Sequence, residues 1–269
     1  MGPRLMADRT MPTADLPTAA LQGGRENYAE LIRQNAALVF ALCWLHGASP
    51  QDAARAAEDV FVRAFHELWM VPPKGFRKWL ANLARRRASS SDLRQQAAEP
   101  GAAEALDALA AMPVAERECA VLYAGAGIGT REIAGISGKT HAAVRRAIAH
   151  LGRDAFPERT PACRTADRLM LLIDDGALPP RKRAQLDFHA ATCDQCSKTF
   201  ERLGRRLLAL NAAFTTALPS DDLVQRVLAR LPEKPPTPPE LPAAVKVIGY
   251  GWLFAMLAII VGLALLFLR

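Results

Sequence analysis

Aromatic residues are scarce in this chain, at 6% of its 269 residues. Strands depend on aromatic and β-branched side chains, whereas the abundant alanine, leucine and arginine favour helices. A glycine-rich phosphate loop and the motif of an activated nucleophile are also missing. The sequence therefore predicts an all-α protein of two or three small domains that is not an enzyme.

The start of the chain lacks the apolar core of a secretory signal. Residues 1–24 contain scattered proline, threonine and glycine, so we expect a disordered leader and a cytoplasmic first half. Thiols stay reduced in that compartment. The five cysteines are therefore expected to be core thiols or metal ligands rather than disulfides.

One cluster of metal-ligand residue types lies in the second half. His189, Cys193 and Cys196 follow the pattern H-x3-C-x2-C, with Cys163 upstream. Residues four apart share a helix face, and neutral imidazole and thiolate are ligands that zinc prefers. Four protein ligands predict a closed, structural Zn2+ site with no open position for catalysis. The alternative interpretation is that these thiols are merely buried.

Positive charge is concentrated in two segments of a chain whose net charge is +7. Residues 74–94 hold seven basic side chains and one acidic one, and residues 139–153 hold four basic side chains and no acidic one. Charge concentrated in this way indicates contact with a polyanion. A solvated helix face is the alternative for either segment.

Charge is absent from a long run near the end of the sequence. Residues 247–268 carry none, and as a helix they would be about 33 Å long, which matches a hydrocarbon core of about 30 Å. Basic residues precede the run. The sequence therefore predicts a single transmembrane helix at residues 245–269, with the preceding chain on the cytoplasmic side of the inner (cytoplasmic) membrane.

A proline-rich spacer is expected at residues 232–244, and an amphipathic helix before it. Ser220 is placed to cap this helix, and Leu223, Val227 and Leu228 share one of its faces. A single amphipathic helix needs a partner surface, which we expect to find elsewhere in this chain.

The first half of the chain contains two sequence blocks. Residues 52–65 read D-A-A-R-A-A-E-D-V-F-V-R-A-F, and residues 76–85 read F-R-K-W-L-A-N-L-A-R. Together they resemble domain 2 of bacterial sigma factors of the extracytoplasmic-function group. The resemblance implies that residues 25–96 form a helical bundle whose first helices bind core RNA polymerase and whose basic helix meets promoter DNA.

Another block follows a linker expected at residues 97–103. Residues 131–146 read R-E-I-A-G-I-S-G-K-T-H-A-A-V-R-R, and the turn near Gly138 lies at helix-turn-helix spacing, with a second helix beginning near Thr140. This block resembles domain 4 of the same sigma factors. The resemblance implies that residues 104–156 contact promoter DNA.

The last block surrounds the candidate zinc ligands. Cys163 is followed at residues 169–184 by L-M-L-L-I-D-D-G-A-L-P-P-R-K-R-A, and then by the His–Cys motif. This order is similar to that of the zinc-binding anti-sigma domain. The similarity implies that residues 157–231 form a small zinc-stapled helical bundle, whose extra helix lies against the sigma-like half.

These resemblances give roles to individual residues. The residues expected to bind a protein partner are Asp52, Glu58, Asp59, Phe61, Leu223, Val227 and Leu228. The residues expected to contact DNA are Lys74, Arg77, Lys78, Arg85, Arg86, Arg87, Lys139, Thr140, His141, Arg145 and Arg146.

The sequence as a whole predicts a membrane-tethered, sigma factor-like transcription initiation regulator that its own zinc-binding anti-sigma domain inhibits. Its expected partners are core RNA polymerase, promoter DNA, the lipid bilayer and, within the chain, the sigma-like half itself. Two alternatives stay open. The chain could be a membrane adaptor or anti-sigma regulator that binds another sigma factor without reading DNA, or a zinc or thiol redox sensor.

Overall fold

The computed structural model describes residues 16–23, 25–46, 49–71, 74–87, 100–152, 160–174, 178–218 and 222–233. All regular secondary structure in these ranges is helical, which confirms the all-α prediction. The predicted transmembrane helix lies outside the described residues. Within them, no helix combines the length and the apolar character needed to cross a bilayer.

The helices of the described ranges fall into three successive groups. The first group contains α1 (Leu16–Gly23), α2 (Arg25–His46), α3 (Pro50–Glu67), a 3-10 turn (Leu68–Met70) and α4 (Phe76–Arg87). The second contains α5 (Pro100–Ala111), α6 (Val114–Ala124), α7 (Thr130–Ser137) and α8 (His141–His150). The third contains α9 (Pro161–Asp174), α10 (Pro180–Thr192), α11 (Asp194–Ala217) and α12 (Asp222–Ala229).

Two of the predicted boundaries are wrong. The expected disordered leader at residues 1–24 contains α1, whose Ala20 is fully buried against its neighbours. The expected linker at residues 97–103 contains the start of α5 at Pro100. Pro17 and Pro100 lie in the first turns of these helices, where proline is well tolerated because its missing N–H has no partner to lose.

The long helix α2 lies at the centre of the fold. Its second half, from Leu38 to Leu45, is buried on every side, as is typical of a helix in a protein interior. Helices α1, α3, α4, α6 and α12 all contact it. The three groups share one continuous hydrophobic core, and Met1–Pro235 forms one compact unit. The second unit, Pro236–Arg269, lies outside the described residues.

The third group also has a small apolar cluster of its own between α9 and α10. Ala166, Leu169 and Leu186 are buried there. Helix α10 contributes only Leu186 to the buried residues, although it is thirteen residues long. The few apolar side chains seen to be buried between α9 and α10 stabilise the contact of these two helices only weakly.

Local sequence explains where several helices begin and end. Ser49 caps α3 by accepting a hydrogen bond from the Asp52 N–H (3.1 Å). Gly138 ends α7 with a φ of 70°, a left-handed conformation that favours glycine. Thr140 then caps α8 by accepting from the Ala143 N–H (3.2 Å), which confirms the expected start of the second helix of the helix-turn-helix.

Candidate metal centre and the contacts around it

The four predicted metal ligands come together where three helices meet. Cys163 lies in the first turn of α9, and His189 lies in the last turn of α10. Cys193 joins α10 to α11 in an extended conformation, and Cys196 lies in the first turn of α11. The break at Cys193 turns the chain, so that ligands on two consecutive helices face one point.

The spacing of the ligand atoms fits a single metal ion. The four candidate ligand atoms all lie within 4.8 Å of one another. The Cys163 and Cys193 sulfurs are 3.9 Å apart, and the His189 Nε2 is 3.3 Å from the Cys196 sulfur. Zn–S bonds of about 2.3 Å in a tetrahedron place two sulfurs about 3.8 Å apart. These residues could therefore hold a metal ion, and the donor set is compatible with zinc.

Thr160 supports this cluster from outside the ligand set. Its hydroxyl accepts from the Cys163 N–H (3.2 Å), which caps α9, and donates to the Cys163 sulfur (3.1 Å). This hydrogen bond, with further ones from Cys196, His189 and Cys193, lowers the pKa of the Cys163 thiol to about 6 against the opposing effect of burial. Burial instead raises the pKa of Cys196 to about 12. Metal binding must therefore displace a proton from Cys196 at neutral pH.

The remaining two cysteines behave as core thiols. Cys43 and Cys119 are fully buried in the shared hydrophobic core. Burial raises the pKa of Cys43 to about 12 and that of Cys119 to about 11. Both thiols stay protonated and inaccessible at neutral pH, and they take no part in the metal cluster.

Helix α12 packs against α3 and α2 of the first group. Its residues Leu223 and Val227 are buried and join the shared core, and Leu228 packs against it. The predicted apolar face of this helix is therefore in contact with other helices of the same chain. Burial of side chains of this size stabilises the contact by roughly 1.5–3 kcal/mol each.

Ion pairs surround this apolar contact. The Arg226 Nε donates to the Glu58 Oε1 (2.5 Å), and the Arg230 Nη2 donates to the Asp59 Oδ1 (2.8 Å). The Arg25 guanidinium donates to the Leu228 carbonyl (2.8 Å) and also to that of Leu231. Two of the three acidic residues expected to bind a protein partner, Glu58 and Asp59, are thus paired with arginines in and just after α12. The C-terminal end of α12 is held by Arg25, the first residue of α2.

Two other residues from the expected partner-binding set have structural roles. Phe61 is fully buried, and its carbonyl accepts from the Tyr28 hydroxyl (2.5 Å). Its side chain therefore belongs to the core rather than to a contact surface, which corrects the sequence interpretation. Asp52 is exposed and accepts from the Ser49 hydroxyl (2.7 Å), completing the cap of α3.

Helix α11 extends from the metal cluster across the second group to the centre of the fold. It contacts α5 and α6. Phe214, near its end, packs edge-to-face against Phe40 and Trp44 of α2, with ring centroids 5.4 and 6.1 Å apart. The Asn211 amide donates to the Ala124 carbonyl at the end of α6 (2.8 Å). One helix of the third group therefore contacts both preceding groups.

Two glycines make room for α11. A Cβ atom on Gly152, just after α8, would lie 2.7 Å from the Cβ of Leu203 and 3.0 Å from the Thr199 carbonyl. A Cβ atom on Gly125, at the end of α6, would lie 2.7 Å from the Phe214 ring. The close approach of α11 requires the absence of a side chain at both positions.

The basic residues expected to contact DNA are divided between α4 and the α7–α8 region, and several are already engaged. Arg77 pairs with Glu132 of α7, and Arg85 pairs with Glu118 of α6. Thr140 caps α8, and the His141 Nε2 lies 2.5 Å from the Thr130 hydroxyl. The exposed members of the set are Lys74, Lys78, Arg86, Arg87, Thr140 and Arg146, and the half-buried members are Arg77, Arg85, Lys139, His141 and Arg145.

Sequence reasoning missed the residues that join the groups. These are Arg25, Glu118, Glu132, Arg226, Arg230 and Phe214, together with Thr160 at the metal cluster. Arg226 and Arg230 are four positions apart, and this spacing puts two positive charges side by side. Such a pair could have indicated an acidic partner surface. The other residues carry no local pattern that points to their contacts.

Comparison of the chain with protein-family models, curated proteins and solved structures found no match.

Proposed function

We propose that this chain is a membrane-tethered, sigma factor-like transcription initiation regulator that its own zinc-binding domain keeps inactive. In this proposal the first and second groups are sigma domains 2 and 4, and the third group is an anti-sigma domain. The observation that carries the proposal is the cover that α12 forms over Glu58 and Asp59. The resemblance assigns these same two carboxylates to the binding of core RNA polymerase.

The contact made by α11 supports the same proposal. Phe214 fills a site beside Phe40 and Trp44 in the first group, while Asn211 is bonded to the second group. A helix anchored in both groups restricts their relative movement. Promoter recognition by two sigma domains requires them to reach two separate DNA elements, so this restriction would oppose it.

Inhibition within one polypeptide does not need a tight interface. A tethered domain meets its target at an effective concentration of about millimolar. Even a weak contact through α12 therefore stays formed until a separate event disrupts it. Cys163, His189, Cys193 and Cys196 would hold a structural zinc ion, whose role here is to fix α9, α10 and the start of α11 as one unit.

The tether is the uncharged run at residues 247–268. Its length and the basic residues before it support a single span with the compact unit on the cytoplasmic side. We expect the chain to sediment with inner membranes and to become extractable by buffer when residues 245–269 are deleted. A deleted chain that still sediments with membranes would place the tether elsewhere.

Polymerase binding by the full-length chain tests the inhibition. Replacing Leu223, Val227 and Leu228 with aspartate puts charge into an apolar contact and should displace α12. We expect affinity for core RNA polymerase to rise by about tenfold or more. The matched control is L208D/T215D/T216D, which adds the same charge at exposed positions of α11. Equal polymerase binding by the unaltered chain and by both variants would reject self-inhibition.

A second candidate function is a membrane adaptor that binds another sigma factor without reading DNA. The observation that favours it is the engagement of Arg77 and Arg85 in ion pairs within the chain. Promoter-specific transcription by the α12 aspartate variant with core polymerase separates the two functions. Stable polymerase binding without any transcript would favour the adaptor.

A further inference from the structure

Helix α4 carries its basic residues on two different sides. Arg86 is exposed, as is Lys74 just before the helix, whereas Arg77 and Arg85 pair with the second group and each have 25% of the side chain exposed. Lys78 also approaches the second group, because its Nζ lies 4.0 Å from the position of a Cβ built on Gly138. The basic helix therefore contacts the helix-turn-helix directly, without any residue of the third group between them.

The best-formed of these contacts is a forked ion pair. The Arg85 Nε donates to the Glu118 Oε2 (2.9 Å), and the Arg85 Nη2 donates to the Glu118 Oε1. The remaining nitrogen, Nη1, donates to the Asn82 Oδ1 (2.5 Å). Only 13% of the Glu118 side chain is exposed. A carboxylate that accepts two parallel hydrogen bonds from a guanidinium uses the same donors, in the same geometry, as a phosphate would.

Arg77 makes a second ion pair at the other end of α4, through its Nη1. It pairs with Glu132, in the first turn of α7. The two pairs lie about two helical turns apart along α4, so the second group presents two carboxylates in a row to one face of a basic helix. Successive phosphates of a nucleic-acid backbone would present negative charge to that face in a similar way.

We propose that Glu118 and Glu132 are internal substitutes for nucleic-acid phosphates, so that α4 binds either these carboxylates or DNA. This inference rests on the proposed function, because it assumes that α4 is a DNA-binding helix. It adds a second inhibitory contact, at the DNA-binding face of α4, that does not depend on the metal cluster or on α12. Displacing the third group frees the polymerase-binding surface, while α4 stays occupied until the first and second groups separate.

Salt-dependent DNA binding by the full-length chain tests this proposal. The variants are E118Q/E132Q, the α12 aspartate variant and their combination, and the probe is a fluorescently labelled DNA duplex. Each additional phosphate contact steepens the plot of log affinity against log salt by about 0.9. Release of Arg77 and Arg85 should steepen it by about 1.8 and raise affinity on the order of tenfold at low salt.

The matched control is E30Q/E67Q, which makes the same change in net charge. Glu30 and Glu67 pair with Arg33 and Arg63 within their own helices. We expect this control to keep the slope of the unaltered chain. Helicity by circular dichroism checks the fold of each variant. If E118Q/E132Q is unfolded, E132Q alone replaces it, with an expected change in slope of about 0.9.

Three results would overturn the proposal. The first is an unchanged slope of log affinity against log salt when both glutamates are replaced, both in E118Q/E132Q alone and in its combination with the α12 aspartate variant. The second is an equal increase in the E30Q/E67Q control. The third is the absence of DNA binding in every variant. Polymerase binding, measured on the same samples, separately decides whether the proposed self-inhibition holds.

Discussion

Thr160 makes two hydrogen bonds to Cys163, donating to the sulfur and accepting from the backbone N–H. The second bond positions the residue at the start of α9, and the first favours the charged form of the thiol. A thiol that is already deprotonated near neutral pH can bind a metal ion without first giving up a proton. Supporting residues outside the ligand set commonly change metal affinity by about 10–100-fold.

Replacement of Thr160 by valine should therefore weaken zinc binding near neutral pH. The pKa of Cys163 is about 6 with the threonine present, against an ordinary value of 9.0. Without it, the pKa of Cys163 rises toward 9.0, and zinc must compete with the Cys163 proton at pH 7 but much less at pH 9.5. We expect a loss of affinity of about 10-fold or more at pH 7 that shrinks at pH 9.5, measured by competition with a chelator.

Replacement by serine is the control, since it keeps the hydroxyl and should keep the affinity. An equal loss at both pH values in the valine variant would indicate a packing defect instead. No loss at either pH would show that the Thr160 hydroxyl does not support the site.

At the scale of helices, α11 depends on two positions without side chains. Gly125 and Gly152 both have α11 atoms 2.7 Å from where a Cβ would lie. For Gly152 the neighbours include the Thr199 carbonyl, which is backbone and cannot rotate away. Any side chain here has to push the helix outward.

The substitution Gly152→Ala should destabilise the compact unit by about 1–3 kcal/mol, because it overpacks the contact. The matched control is Gly204→Ala in α11, where an added Cβ meets nothing within 4 Å. That control should stabilise the chain by roughly 0.5–1 kcal/mol, since glycine is unfavourable within a helix. Urea unfolding of both variants measures the difference. Similar stability in the two would show that α11 does not need the close approach.

The helices themselves could largely be predicted from the sequence, because their signals are local. Helix α8 begins after Thr140 as expected, Ser49 caps α3 through an equally local signal, and metal-ligand residue types are chemically distinctive even when far apart. The apolar contact of α12 with other helices of the chain was expected from its sequence, but the individual residue pairs that join the groups could not be predicted. Arg226 and Glu58 are 168 positions apart, and nothing near Phe214 in the sequence indicates that its ring meets Trp44.

At the scale of the whole molecule, the candidate metal ligands and the shared core lie at different parts of the third group. Among the side chains that the structure describes, the α9–α10 cluster buries Ala166, Leu169 and Leu186, with Met170, Leu172, Leu178 and Phe200 partly buried against them. This is a small apolar surface for two helices. Helix α11 is different, because Leu203, Leu210 and Phe214 along it belong to the shared core.

Removal of the metal by a chelator should therefore unfold α9 and α10 and leave the end of α11 docked. Far-UV circular dichroism should show a partial loss of helicity. The emission of Trp44, which contacts Phe214, should stay unchanged when it is measured in a variant with Trp69, Trp79 and Trp252 replaced by phenylalanine. A red shift of that emission would mean that metal loss also releases α11, and unchanged helicity would mean that the cluster has no structural role.

Arg25 is bonded to the carbonyl of Leu231, and 206 positions separate these residues. During synthesis at roughly 5–20 residues per second, about 10–40 s pass between the addition of one and the addition of the other. The first two groups leave the ribosome during that interval, before α12 exists to cover them. Each newly made chain therefore has a brief period in which Glu58 and Asp59 are uncovered, and the number of uncovered chains in a cell follows the rate of translation.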